Sequence, residues 1–209
     1  MGGDAASERR LAEARWQAVG EIAVRIAAGD ALEDVLQAIA THARATLGSG
    51  APLLAATDDE RAAVGVRPAG FFLLTADRRE LELHGGVNFP PEQIGMHIGA
   101  GFGLPGIVVR TGEPLVVPNT DDDPRFKQII STGRAGSTCQ IPIKVEGHCL
   151  GVAFVASMAK DIYGPADMEA LKVYAALASA AIRAAGGYHG HVLSRSRRRG
   201  RLRRASSAA

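Results

Sequence analysis

Cys139 and Cys149 are the chain's two thiols, and their setting decides whether they could act as nucleophiles or redox centres. A reactive thiol needs a lowered pKa, supplied by a nearby cation or a helix N-terminus. Both cysteines fall in apolar runs that read as two strands joined at Glu146-Gly147. The one adjacent base, His148, points to the opposite side of its strand from Cys149. If Glu146-Gly147 is a two-residue hairpin turn, Cys139 faces Phe154 and Cys149 pairs with Lys144. The two sulfurs then lie on opposite faces, which predicts free thiols and no disulfide. Thiol reductase chemistry is the least favoured function class on this reading.

Other reactive residues are equally isolated. Asp121-Asp122-Asp123 could suit Ca²⁺ or Mg²⁺, but consecutive carboxylates splay apart and no glutamate stands at the twelfth loop position. Solvated loop acids, or an Asp123 cap on a helix over 124–131, is the better reading. The histidines are His42, His84, His97, His148, His189 and His191, and only His189-x-His191 has metal-ligand spacing. It lacks a third ligand. His97 is alone, a poor basis for haem or iron. Gly99-x-Gly101-x-Gly103 lacks the Gly-Lys-Ser/Thr ending of a phosphate loop and reads as a tight turn into a helix. Arg195–Arg204 (RSRRRGRLRR) carries seven arginines and no acid. Such a run holds nucleic acid or an anionic surface through counterion release, or is simply a solvated extension. Removing those seven from the formal net charge of +2 leaves −5 over residues 1–194, so the folded body is mildly acidic.

The elements that position these residues can be read from periodicity. Arg9–Ala28 forms a helix with Leu11, Val19, Ile22 and Ile26 on one stripe. Asp30 with Glu33 makes a capping-box pattern for a second helix, whose apolar face is Leu32, Val35, Leu36, Ile39, Ala43 and Leu47. Residues 50–68 are least legible; Thr57 and Glu60 form another capping pattern there. Gly70–Thr75 is apolar on both faces, hence a central strand. Glu80–His84 follows a turn, and Met96–Ile98 is a short strand. A short helix over Leu104–Thr111 and a strand over Pro114–Val117 come next. Pro165 opens a closing helix with Met168, Leu171, Tyr174, Ala178 and Ile182 inward. No segment reads as membrane-spanning, since the uncharged run from Gln93 to Val109 is broken by glycine and proline. The opening residues lack a leader's apolar core, and the expected compartment is the cytoplasm.

This order of elements, together with several motifs, resembles a GAF domain. The matching residues are Gly103-Leu104-Pro105-Gly106, Thr111-Gly112-Glu113-Pro114 and Asp123-Pro124-Arg125-Phe126. Ser137, Ile141-Pro142-Ile143, Gly147, Leu150-Gly151-Val152, Asp167 and Leu171 continue the pattern. The resemblance implies an α+β fold: an antiparallel sheet of about six strands, terminal helices on one face and a ligand pocket on the other. It divides the chain into an N-terminal helix (1–29), a GAF-like domain (30–185) and a basic disordered tail (186–209). Hairpin parity sends Cys139, Ile141, Ile143, Leu150, Val152 and Phe154 to one face and Thr138, Gln140, Cys149, Gly151 and Ala153 to the other.

The resemblance places the pocket on the second face, over Thr138, Gln140 and Cys149, roofed by Phe102, Asn119, Phe126 and Ile129. The loop cysteines of GAF-type methionine sulfoxide reductases and the bilin-binding Cys-His pair are absent. Asn119 and Phe126 only loosely echo the cyclic-nucleotide motif, so the ligand's identity and any cofactor stay unassigned. The expected function is a non-covalent small-molecule sensor that dimerises through its terminal helices. Leu11, Val19, Ile22 and Ile26 are expected at that seam.

Overall fold

The computed structural model describes residues 2–48, 66–129 and 134–186, with side chains from residue 8 onward. Six strands form one antiparallel sheet in the order β3-β2-β1-β6-β5-β4. They are β1 (Ala69–Leu74), β2 (Glu80–Val87), β3 (His97–Gly99), β4 (Leu115–Val117), β5 (Ser137–Val145) and β6 (His148–Ser157). Three long helices, α1 (Gly2–Ala28), α2 (Leu32–Thr46) and α4 (Pro165–Ala184), cover one face. The short α3 (Gly103–Thr111) lies on the opposite side.

β1 occupies the middle, as its two apolar faces require, and all six of its residues are buried. Its alternation divides the interior. Ala69, Phe71 and Leu73 join the core beneath the helices, while Phe72 and Leu74 join a second cluster with Leu81, Leu83 and Val108. The expected apolar face of α2 is buried throughout.

The β5–β6 hairpin turns at Glu146-Gly147, both with positive φ (52° and 82°), the geometry of a type I′ turn. Val145 faces His148 and Lys144 faces Cys149, as parity predicts. One step on, the register slips: Ile143 faces Gly151, and Leu150 is the extra residue of a β-bulge. Beyond that point every β6 side chain is reversed from its expected face. Ala153 and Val155 turn toward the helices, whereas Val152 and Phe154 turn to the opposite side. Leu150 alone keeps its predicted place among the helix-side residues. Glycine is required just after the bulge, because a Cβ at Gly151 would meet the Phe72 carbonyl and come within 2.9 Å of the Leu73 Cα.

Polar contacts fix the helices to the sheet. Asp30 does not cap α2. The N-cap residue is Ala31, without a side-chain bond, and Asp30 pairs with Arg25 at 3.5 Å. Glu33 leaves the helix end for the sheet, accepting the Gly85 N–H at 2.9 Å and contacting His84 Nδ1 at 3.0 Å. Gly85 sits at φ 56°, and a Cβ there would come within 2.8 Å of the Leu36 backbone, so α2 can lie directly on β2. At the other end, Asp167 accepts the N–H groups of Gly164 (3.1 Å) and Gly48 (2.8 Å) and pairs with Arg15 at 3.5 Å. Arg15 also donates to the Thr46 carbonyl at 2.9 Å, joining α1, α2 and α4 at one point.

Ile22, expected on a free seam, is fully buried, and Ala18 beside it keeps 1% of its surface. Leu11, Val19 and Ile26 are half-buried. That stripe of α1 therefore serves the protein's own core. The expected helix after Asp123 is also replaced: Asn119 accepts the Asp121 N–H at 3.1 Å and caps a 3-10 turn over Thr120–Asp122. Residues 124–129 are non-helical.

Two predictions follow from these contacts. Burial pushes His84 toward its neutral form, but the bond to Glu33 and the nearby Glu82 carboxylate outweigh it and raise the imidazole to about 9. The folded state therefore holds the proton more tightly than the unfolded chain. The clamp contributes fully below about pH 6.5, and its contribution declines until pH passes about 9. Urea unfolding across this range should show that decline in the wild type and a flatter profile in His84→Gln. Separately, Gly151→Ala should lower stability by roughly 1–3 kcal/mol through backbone crowding, measured as a lower urea midpoint at unchanged slope.

Candidate functional site

The reversed half of β6 supplies an aromatic floor. Phe154 stacks on Phe72 of β1 at 5.2 Å between ring centroids and 21° between planes. Phe89, just beyond β2, meets Phe154 edge-on at 6.0 Å and 89°. Thr138 and Gln140 of β5 continue this surface beside Ala156 and Ser157 of β6. Pro105 of α3, Asn88 and the segment Phe126–Ile129 close the sides of a cavity of about 140 Å³. Val66, Pro68, Arg134, Ala135 and Met158 complete the lining among the described residues.

Phe126, Ile129, Thr138 and Gln140 thus come together around one cavity, on the side expected for a pocket. The other three predicted site residues do not. Phe102 is the N-cap of α3 and points into solvent, 41% exposed. Asn119 is occupied locally, its amide donating to Asp122 at 2.6 Å while its oxygen caps the 3-10 turn. Cys149 precedes the bulge near the hairpin turn, where its thiol contacts the Gly151 carbonyl at 3.4 Å. Gly151 and Ala153, also expected on the pocket face, have been carried to the other side by the bulge. Phe72, Phe89, Phe154 and Arg134 are among the lining residues that the sequence alone does not point to. The two-sided apolarity of β1 did imply that Phe72 or Phe71 faces this side.

The polar groups around the cavity are largely committed. Asn88 donates to the Arg67 carbonyl at 3.1 Å. The Thr138 hydroxyl donates to the Val155 carbonyl at 2.8 Å, and the Gln140 amide nitrogen reaches the Thr138 oxygen at 3.5 Å. Gln140 Oε1 is buried without a hydrogen-bond partner. Arg134 lies over the Phe126 ring, 5.0 Å from its centroid, and pairs with Asp121 at 2.8 Å. Lys127 is the second cation at the rim. No carboxylate belongs to the described lining.

The acidic loop serves to hold this rim in place. Asp121 joins Lys160 (2.9 Å) to Arg134, and the bonds to these two cations lower its pKa. Asp123 pairs with Arg125, which likewise lowers its carboxyl. The Thr120 hydroxyl donates to the Ala135 carbonyl, tying the loop to the approach to β5. The three aspartates therefore face different partners, and among the described residues no group of three or more His, Cys, Asp or Glu could hold a metal ion.

Both cysteines are free, and neither lines the cavity. Burial pushes the Cys139 thiol up to about 12, with Asp167 adding to the shift. Burial also raises Cys149. His97 is turned to the sheet edge, 2.9 Å from Glu80. Thr57, Glu60, His189, His191 and the arginine run Arg195–Arg204 lie outside the described residues. No helix among the described residues is long and apolar enough to cross a membrane.

The profile of the GAF domain family matches residues 31–182. Among solved structures, the chain is similar to the GAF domain of an Acinetobacter phosphoenolpyruvate-protein phosphotransferase. That match has 18% identity and a TM-score of 0.65, covering 83% of this chain and 96% of that one. The corresponding domain from Coxiella burnetii is 19% identical, with a TM-score of 0.61 and coverage of 90% and 98%. Free methionine-R-sulfoxide reductase from Neisseria meningitidis, in complex with its substrate, matches at 24% identity and a TM-score of 0.52, with coverage of 73% and 84%. At these identities the likeness is one of fold. No curated protein sequence matches the chain.

Proposed function

Since the chain belongs to the GAF domain family, we propose that it is a sensory module that binds a small molecule non-covalently and signals through its terminal helices. The observation that carries this reading is the aromatic-floored cavity over Phe72 and Phe154, on the sheet face opposite α1, α2 and α4. A concave, mainly apolar site with a few fixed polar groups is the usual form of a small-molecule site. The raised thiol pKa values and the position of both cysteines outside the cavity favour binding over thiol chemistry.

The floor strands also form the seat of the helices. Phe72 and Phe154 alternate with Phe71, Ala153 and Val155, which pack beneath them. A ligand that favours one setting of β1 and β6 would bias the helices by the difference in its affinity for the two settings. The output surface we assign is the outer face of α1 and α4, where Trp16 is 75%, Val24 68% and Val173 47% exposed. Its partner is a second copy of the chain. Gly20, between Trp16 and Val24, has open space around it and would let the partner's helix approach closely.

Two measurements test the proposal. A ligand at 100 times its Kd should stabilise the protein by about 2.7 kcal/mol, so a metabolite panel read by thermal shift should identify binders. Ala156→Leu, which fills the cavity from its floor, should remove their effect while circular dichroism stays native. Equal shifts in both proteins would place binding elsewhere. In sedimentation, Trp16→Glu should convert a dimer to a monomer that still responds to ligand. Ile22→Asp should instead unfold the protein, because it buries a charge in the core.

A further inference from the structure

The polar residues on the cavity floor restrict what can occupy it. Gln140 retains 6% of its surface, and its Oε1 has no hydrogen-bond partner. The orientation of this amide is fixed by its neighbour. The single Thr138 proton is directed to the Val155 carbonyl, which can only accept. The Thr138 oxygen can then only receive a proton from Gln140, which directs the amide nitrogen toward it. What remains is an unmet, covered acceptor on a residue that lines the cavity. A buried acceptor left unmet is unfavourable, and the occupant that relieves it must carry an N–H or O–H group.

Size and charge narrow the choice. The cavity of about 140 Å³ is close to the ~150 Å³ of an engineered apolar cavity that takes up benzene. Phe72 and Phe154 offer a stacked pair and Phe89 an edge, an arrangement suited to a flat ring. No carboxylate lines the described part of the cavity, and Lys127 and Arg134 stand at its rim, so a cationic amine would meet like charge there.

The geometry points to a neutral, single-ring aromatic or heteroaromatic ligand whose ring-borne O–H or N–H donates to Gln140 Oε1. This inference rests on the cavity being the sensory site, and it goes further by naming the ligand's class and the residue that selects it.

Phenol and its methyl ether anisole are the probes, one with the donor and one without, titrated into the full-length protein by isothermal calorimetry. Phenol should bind wild type about tenfold more tightly than anisole, the ratio expected for one buried hydrogen bond. Gln140→Met keeps the length and removes the strong acceptor. It should bring the two affinities within about twofold of each other by weakening phenol alone. Equal affinities in the wild type, both lost in Ala156→Leu, would overturn the donor rule and leave the sensory cavity standing. Absence of binding by either probe to the wild type would overturn the ligand class. If the metabolite panel also gave no cavity-dependent binder, the sensory reading would fall as well.

Discussion

One inserted residue determines which side chains this sheet presents to its cavity. At Leu150 the hairpin register slips by a single position, and side-chain parity makes that slip act on the whole of the following strand. A regular ladder would place Gly151 and Ala153 on the cavity side and Phe154 under the helices. The bulge exchanges them, giving the helices small and branched partners and the cavity a phenyl ring to stack on Phe72. It also brings β6 against β1 so closely that only glycine fits at position 151. The hairpin turn sets the register near Val145 and the bulge resets it before the site. Binding character is thus specified by backbone geometry some distance from the residues that express it.

The two faces of the sheet are held by different means. On the helix side a large apolar core is reinforced by polar ties at two corners. Glu33 meets β2 through His84 and Gly85, and Asp167 gathers Arg15, Gly48 and its own helix start. These groups are at least partly shielded and geometrically fixed, so each tie is worth more than an exposed ion pair. On the cavity side the contacts of Asp121 with Arg134 and Lys160 are exposed. Exposed pairs contribute little to stability and are weakened by salt. The helix layer is accordingly the fixed frame, and the rim over the cavity is its weakly tied part. A sensor benefits from that division, since its rim has to admit a ligand while its frame transmits the response.

Much of the frame was legible because single residues carry its signals. GFFLL, apolar at successive positions, could only be a central strand. Pro165 at the start of α4, the positive φ of Gly112 after α3, and the 3.6-residue period of α2 each have one mechanical meaning. Local reading failed where tertiary contacts supplied a better partner than the sequence neighbour. Glu33 matches a capping box with Asp30, yet it bonds to a β-strand 51 residues away. Ile22 looks like a free helical stripe until α2 and α4 are packed over it. The bulge has no sequence signal that parity counting can detect, so parity sends Phe154 to the wrong face; Cys149, before the bulge, keeps its predicted pairing and lies near the hairpin turn, away from the cavity lining. Thr138 and Gln140 face the side that parity assigns them, because β5 precedes the irregularity. Phe126 and Ile129 reach the cavity even though the helix expected to carry them is not formed.

Gln140 stands out against the physical logic of that surface. Phe72, Phe89 and Phe154 make an environment in which a lone carboxamide oxygen is a liability, and an apolar residue of similar length would fill the same space without an unmet acceptor. Elsewhere on the same strand, Ser137 and Thr138 direct their hydroxyls to backbone carbonyls, at 2.8 Å in both cases. The strand therefore can satisfy its buried polar groups internally, and at position 140 it satisfies only half of one. Thr138 even holds the amide so that the unmet half is the oxygen. A polar group that is buried and left with its acceptor unmet is what the proposed donor-bearing ligand rests on, and the stability it costs would be recovered when a donor arrives. Under the proposed reading, affinity at this site would be coupled to relief of a defect in the free protein, making discrimination between donor-bearing and donor-free rings steeper than apolar contact alone would allow.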